Sequence, residues 1–299
     1  MLPPGTHYLC GTFIYMALLK RFKKNKSGEA AEMTFIDHLE ELRGHLLRSA
    51  LAVLVGGIVV AVYNDFFVKK VLMGPTHANF PTYTWLCGIG KKLGMGTALC
   101  MKEIGVRMQS TSVSGQFSMF FTVIVIGGII IAFPYVFWEF WKFLKPALTP
   151  KELGRTRGVV FWVSLLFFMG VAFGYFVIAP YTVNFFANFQ LDESIINKWT
   201  ISSYVDTLIP LILGTGLAFQ LPLVMFFLSK IGMVTPEWLR SVRKYAIVVI
   251  VIVAGVITPP DVISQIIVSF PLLILYEVSI WLSARVVREA ALEEQKEWS

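Results

Sequence analysis

The chain changes character between the charged hexapeptide HLEELR, residues 38–43, and the apolar stretch LLRSALAVLVGGIVVAVY, residues 46–63. The apolar stretch approaches the length of about 20 residues with which a helix crosses a bilayer. The hexapeptide before it is helix-prone and carries two adjacent carboxylates. We therefore expect a membrane-spanning helix whose first turns present carboxylates at one face of the membrane.

The composition extends this expectation to the whole chain. Hydrophobic residues make up 56% of the 299 residues and charged residues 15%, and the mean hydropathy is +0.68. A soluble domain would carry about 25% charged residues. We therefore expect an all-α integral membrane protein. Its net charge of +7 fits basic cytoplasmic loops better than nucleic-acid binding, and no nucleic-acid partner is expected.

Six apolar stretches predict six transmembrane helices, at residues 46–63, 117–140, 159–180, 203–228, 245–257 and 262–282. Because proline lacks a backbone donor and clashes with the preceding turn, we expect breaks near Pro134 in the second helix and at Pro210 and Pro222 in the fourth. The fifth stretch is shorter than the usual span of about 20 residues.

The distribution of Lys and Arg predicts the orientation. Nineteen of the 26 lie in the N-terminal segment, the loops after the second and fourth stretches, and the C-terminal tail. Basic residues in short loops mark the cytoplasmic side. Both termini are therefore expected in the cytoplasm, and a bacterial inner membrane is the expected location of this multi-pass protein.

The chain divides into a basic N-terminal extension at 1–32, a membrane domain at 33–285 and a polar cytoplasmic tail at 286–299. A long outer loop at 64–115 contains Cys87 and Cys100, which form either a disulfide or two free thiols. The cysteines show no CxxC spacing and no nearby histidine pair, so no metal site is expected.

No motif for a nucleotide, a serine nucleophile or a catalytic zinc occurs, so we expect neither an enzyme nor a cofactor. Polar residues at membrane depth are functional candidates by default: Asp206, Gln220 and Glu277. One interpretation is a secondary transporter that uses them as a midplane path. The alternative is structural, with Gln220 and Glu277 in interhelical hydrogen bonds and Asp206 and Asp261 as helix caps or interface residues.

Five carboxylates are expected on the cytoplasmic side: Glu40, Glu41, Glu139, Glu152 and Glu237. A carboxylate can hold an Arg guanidinium through two parallel hydrogen bonds, which Lys cannot match. Such a patch would suit an arginine-bearing peptide followed by an apolar stretch. The alternative is pairing with nearby arginines of the chain: Arg43, Arg48, Arg155 and Arg157. His38 and His45 are expected to be interfacial histidines.

Four motifs follow one another along the chain: HLEELR at 38–43, WKFLKPAL at 141–148, FQLP at 219–222 and TPPDVISQ at 258–265. Together they resemble the motifs of the TatC family, the core of the twin-arginine protein translocase. They occur in the family's order, and the resemblance covers residues 34–285. It implies a cup-shaped six-helix protein that binds twin-arginine signal peptides on its cytoplasmic face.

By this resemblance, Glu41 and Glu152 contact the two arginines of the peptide, with Glu40 and Phe143 in the same site and Arg43 organising its surface. The resemblance also implies transport of folded cargo, energy from the proton-motive force, contact with membrane lipid, and a hetero-oligomer with TatA- and TatB-type single-span proteins.

Two motif positions carry further implications of the resemblance. The family often has Glu where this chain has Gln220. Because a glutamine amide does not titrate, the resemblance implies a hydrogen-bonding role at this position. The turn Pro259-Pro260-Asp261 is expected on the periplasmic side.

Overall fold

The computed structural model describes residues 35–77, 79–92, 94, 108–145, 158–192, 194, 197–259 and 261–297. The chain divides into two compact units, Met1–Leu42 and Arg43–Ser299. Of the first unit, the described residues are 35–42, all helical. The second unit contains every other described element.

Long helices dominate the fold. Helix α1 covers Phe35–Val62, α4 Gly115–Leu144 and α11 Val262–Glu297. One further helical segment is continuous and consists of α5 (Val159–Phe173), a π-helix (Gly174–Ile178) and α6 (Ala179–Asn188). Another is nearly continuous and consists of α7 (Ile201–Ala218) and α8 (Leu221–Lys230).

Shorter elements connect them. After α1 come α2 (Asn64–Phe66), a π-helix (Phe67–Leu72), a 3₁₀ turn (Gly74–Thr76) and α3 (Pro81–Lys92). Helices α9 (Pro236–Ser241) and α10 (Arg243–Ile257) lie between α8 and α11. The outer loop predicted at 64–115 is therefore largely helical in its described part.

Five helical segments of the described chain are long and apolar enough to cross a membrane: Glu40–Val62, Gly115–Leu144, Val159–Asn188, Ile201–Lys230 and Val262–Glu289. They correspond to five of the six predicted spans. The remaining one, α10, has 15 residues and is too short to join this set. The crossing of the membrane by α10 stays a prediction.

The effect of proline on the helices differs from the prediction. Helix α4 runs through Pro134 and α7 runs through Pro210 without interruption, so the two breaks predicted there are wrong. Membrane helices tolerate proline where neighbouring groups satisfy the freed carbonyl. The break at Pro222 is confirmed, because α7 ends at Ala218, four residues earlier, whose carbonyl the proline ring would meet.

One feature departs from an all-α architecture. Strand β1 (Met108–Gln109) pairs in parallel with β2 (Trp199–Thr200), with Met108 opposite Trp199. Two-residue strands with such sequences carry no alternating pattern that would predict them. The pairing of β1 with β2 connects the end of the outer loop to the residues directly before α7.

Close backbone contact joins α1 to α4. A Cβ atom added to Gly128 would lie 2.7 Å from both the Val53 carbonyl oxygen and the Gly57 nitrogen, and one added to Gly56 would lie 2.8 Å from the Gly128 carbonyl oxygen. Small residues allow membrane helices to approach this closely. Side-chain size at Gly56 and Gly128 therefore sets the distance between these two helices.

The outer loop docks on the helical segment Val159–Asn188 through Tyr83. Its hydroxyl oxygen lies 2.7 Å from the Pro75 carbonyl oxygen and 3.0 Å from that of Pro180, so a single proton serves two acceptors. The Thr82 hydroxyl donates to the Phe176 carbonyl at 2.5 Å. These bonds hold α3 in place. Cys87, also in α3, is disulfide-bonded, while Cys10 and Cys100 lie outside the described residues.

We expect Tyr83→Phe to reduce the free energy of unfolding by about 1–3 kcal/mol, because two carbonyls lose their donor. Burial raises the pKa of the Tyr83 phenol well above its ordinary value. The unfolded chain therefore loses this proton first, and stability falls as pH rises above about 10. The phenylalanine variant lacks this contribution. Unfolding of the detergent-solubilised protein at pH 7 and pH 10.5 measures both effects.

The matched control is Thr84→Val on the same helix, whose hydroxyl donates to Pro81 in an exposed position. We expect a change of less than about 0.5 kcal/mol there. Equal stability of Tyr83→Phe and the wild type at pH 7 would contradict the proposed docking role.

Candidate functional site

The structure places the residues of the first motif on α1. Glu40 and Arg43 are exposed and Glu41 is partly exposed. Glu40 and Glu41 belong to the unit Met1–Leu42, whereas Arg43 begins the second unit. Glu152 lies outside the described residues. The binding of the two peptide arginines by Glu41 and Glu152 stays a prediction.

A different carboxylate, Glu139, forms the centre of an ion-pair cluster between α1 and α4. Glu139, near the end of α4, has only 1% of its side chain exposed. Its Oε2 atom lies 2.6 Å from His45 Nδ1 and 3.7 Å from Arg48 Nη1, and its Oε1 atom lies 3.2 Å from Lys142 Nζ. A buried carboxylate persists only when paired in this way.

Helical spacing explains how four residues of two helices converge. His45 and Arg48 are three residues apart on α1, and Glu139 and Lys142 are three residues apart on α4, so each pair shares one helix face. The Lys142 ammonium also lies 3.3 Å from the centroid of the Trp138 ring. The cluster thus joins α1, through His45 and Arg48, to the end of α4. All four residues belong to the second unit.

Phe143, predicted from the second motif, lies beside this cluster. Its ring meets that of His45 edge to face, with centroids 6.4 Å apart. On the other side of α4, Trp141 is buried against Phe227, with centroids 5.1 Å apart. The last turn of α4 is therefore held from two sides.

The sequence does not predict this cluster. It predicts Glu139 as one of five cytoplasmic carboxylates, with pairing to Arg48 among the alternatives, but it does not predict the burial of Glu139. His45, predicted as an interfacial histidine, pairs with Glu139, a contact that the sequence does not predict. The available signal was a lone acid within the aromatic segment FWEFW, residues 137–141, with Lys142 directly after it.

The three polar residues that the sequence predicts at membrane depth are not linked to one another in the described structure. Asp206 is exposed on α7, and Glu277 is exposed on α11, where it pairs with Arg243 at 2.8 Å. Gln220 Nε2 donates to the Val163 carbonyl at 3.3 Å, and its Oε1 atom has no hydrogen-bond partner among the described residues. No described hydrogen bond or ion pair links the three.

Asp261 is a helix cap, as one interpretation of the sequence predicted. Its Oδ2 atom accepts a hydrogen bond from the Ser264 amide at 2.7 Å, at the start of α11. The Asp261 amide bonds the Pro259 carbonyl at 2.7 Å. Pro260 lies outside the described residues. The turn thus fixes the beginning of the last helix.

An apolar cavity of about 350 Å³ lies within the second unit. Helices α4, α5 and α7 and the first π-helix line it, with side chains that include Ile126, Ile130, Phe168, Ile209 and Ile212. Such a surface can accommodate an apolar segment by burial of nonpolar area. Within the described chain, no cluster of three metal-ligating side chains is found.

Sequence comparison identifies one family. The profile described as "Sec-independent protein translocase protein (TatC)" matches residues 37–271. The TatC protein of Blattabacterium sp. subsp. Periplaneta americana is 35% identical over 262 residues, which cover 87% of this chain and 98% of that protein. The TatC protein of Helicobacter pylori strain J99 is 36% identical over 260 residues, 86% and 94% of the two chains.

Structure comparison agrees. A crystal structure described as the twin-arginine translocase receptor TatC superposes with a TM-score of 0.62 at 29% identity, covering 84% of this chain and 99% of that one. The same receptor in the detergent DDM gives a TM-score of 0.64, with 82% and 99% coverage.

Proposed function

The chain belongs to the TatC family of Sec-independent protein translocase proteins, and from this we propose that it is the twin-arginine signal-peptide receptor and core subunit of its translocase. It is a multi-pass membrane protein and a translocase component rather than an enzyme. The observation that carries the proposal is the match over residues 37–271, which contains all four motifs of the sequence.

In this proposal, Glu41 and Glu152 bind the two arginines of the signal peptide. A planar guanidinium bonds a carboxylate through two parallel hydrogen bonds, which gives arginine an advantage over lysine. Glu40, Phe143 and Arg43 complete the site. The partial exposure of Glu41 supports a role in which it meets a ligand from solution.

The apolar region of the peptide packs against the cavity that α4, α5 and α7 line. Its nearly continuous apolar lining supports this role, since a signal peptide carries an apolar segment after its arginines. TatA- and TatB-type single-span proteins assemble with the chain into a hetero-oligomer. The proton-motive force drives transport of the folded cargo.

The proposal includes the topology. Helix α10 crosses the membrane as a sixth span beside the five long ones, and both termini face the cytoplasm of a bacterial cell. The asymmetry of Lys and Arg supports this orientation, because 19 of 26 fall on the proposed cytoplasmic side. The Pro259–Asp261 turn then faces the periplasm.

The test is binding of a fluorescent twin-arginine signal peptide to the full-length protein in nanodiscs. We expect the Lys-Lys version of the same peptide to bind at least about tenfold more weakly, because it loses the paired hydrogen bonds to the carboxylates. A peptide with arginines but a polar segment in place of the apolar one controls for charge alone.

Equal binding of the Arg-Arg and Lys-Lys peptides would show that the apolar segment alone drives association, and would contradict the receptor proposal. Proton uptake by the isolated protein in the absence of partners would favour a secondary transporter instead.

A further inference from the structure

Glu139 is the most deeply buried charge in the described part of the chain. Three other ion pairs among the described residues, Lys69–Asp65, Arg243–Glu277 and Arg285–Glu289, have carboxylates that are more than half exposed. A buried ion pair often gains little stability over well-packed apolar side chains of similar volume. A buried pair of this kind is therefore better explained by the geometry that it fixes.

The geometry fixed here is that of the His45 ring. Its Nδ1 atom lies 2.6 Å from Glu139 Oε2, a short contact that joins residues 94 positions apart in the sequence. The rest of the ring meets Phe143 edge to face. Phe143 also lies four residues after Glu139 on α4, so both side chains reach the imidazole from the same helix face.

The remaining contacts hold the carboxylate itself. Lys142 of the same helix donates to Oε1 at 3.2 Å. Arg48 is farther away and 59% exposed. Glu139 is thus held by its own helix while its second oxygen engages His45 of α1.

We propose that Glu139 is a positioning residue of the peptide site: its carboxylate fixes the His45 imidazole, and the imidazole fixes the ring of Phe143. The proposal rests on the proposed function, in which Phe143 belongs to the site. It adds two residues, His45 and Glu139, that the motifs did not assign, and it gives them a positioning role rather than contact with the peptide.

The test is a double-mutant cycle on peptide affinity with the full-length protein in nanodiscs. We expect Glu139→Gln to weaken binding of the twin-arginine peptide by about three- to tenfold, while in a Phe143→Ala background it adds less than about twofold. If Glu139 only stabilised the fold, Glu139→Gln would lower the melting temperature, and its effect on peptide affinity would add to that of Phe143→Ala. The melting temperature of each variant is measured alongside.

A second variant keeps the test valid if Glu139→Gln folds poorly. His45→Gln removes the ring that meets Phe143 and leaves Glu139 with Lys142, and we expect the same pattern of loss and non-additivity. Glu289→Gln, which breaks an exposed ion pair with Arg285 on α11, is the matched control and should not change affinity.

The outcomes separate this inference from the proposed function. If the wild type binds and Phe143→Ala weakens binding, but the loss from Glu139→Gln is absent or fully additive with it, the positioning role is wrong and the receptor function stands. If the wild type does not bind the twin-arginine peptide, the proposed function fails and the inference falls with it.

Discussion

Replacing Glu41 with Gln is expected to weaken binding of a twin-arginine signal peptide by about 10- to 150-fold, equivalent to about 1.5–3 kcal/mol for a hydrogen bond to a charged group. Glutamine keeps the size and one acceptor oxygen of the side chain but removes the negative charge. The guanidinium then loses its bidentate partner. Fluorescence anisotropy in nanodiscs measures the change.

Two comparisons sharpen this result. Glu152→Gln should show a loss of similar size, and both losses should shrink with the Lys-Lys peptide, because lysine cannot form the paired geometry. Glu289→Gln removes a carboxylate on α11 that takes no part in the site and should bind like the wild type. Equal losses for the Arg-Arg and Lys-Lys peptides would refute specific arginine recognition by Glu41.

The second large effect concerns the contact between α1 and α4. We expect Gly128→Ala to destabilise the protein by about 1–3 kcal/mol or more, because the new methyl would lie 2.7 Å from the backbone atoms of Val53 and Gly57. Backbone atoms cannot rotate away as a flexible side chain can, so the helices must separate. Unfolding in SDS–detergent mixtures measures the change.

Gly88→Ala is the matched control for this substitution. Gly88 also lies within a helix, α3, but an added Cβ there meets nothing within 4 Å. Alanine should be neutral or stabilise the helix by up to about 1 kcal/mol. Similar stability changes for Gly128→Ala and Gly88→Ala would mean that the α1–α4 contact relaxes without cost.

Much of the fold follows from hydropathy. The five helical segments that are long and apolar enough to cross a membrane lie where continuous apolar sequence predicted them, because hydropathy is a property of local composition. The break before Pro222 was also predictable from the clash of its ring with Ala218. The continuity of α4 and α7 through Pro134 and Pro210 was not, since it depends on neighbouring groups that the sequence does not place.

The site was only partly predictable, for a related reason. The motifs identify Glu41, Phe143 and Glu152 by resemblance, but the burial of Glu139 depends on the approach of α1 to α4. His45 and Glu139 are 94 residues apart, and no local pattern joins them. The β1–β2 pair was missed in the same way, because its two strands are short and meet only through tertiary structure.

The shortness of α10 has a consequence for the surrounding lipid. Its 15 residues rise about 22 Å, against a hydrocarbon core of about 30 Å. Arg243, the first residue of α10, pairs with Glu277 of α11 at 2.8 Å. This ion pair marks the end of the apolar part of the α10–α11 hairpin. If α10 crosses the membrane as proposed, acyl chains beside it must compress by several ångströms to keep this pair out of hydrocarbon. Lipids with short acyl chains would then be enriched around the hairpin, and the transport activity of the protein would depend on membrane thickness.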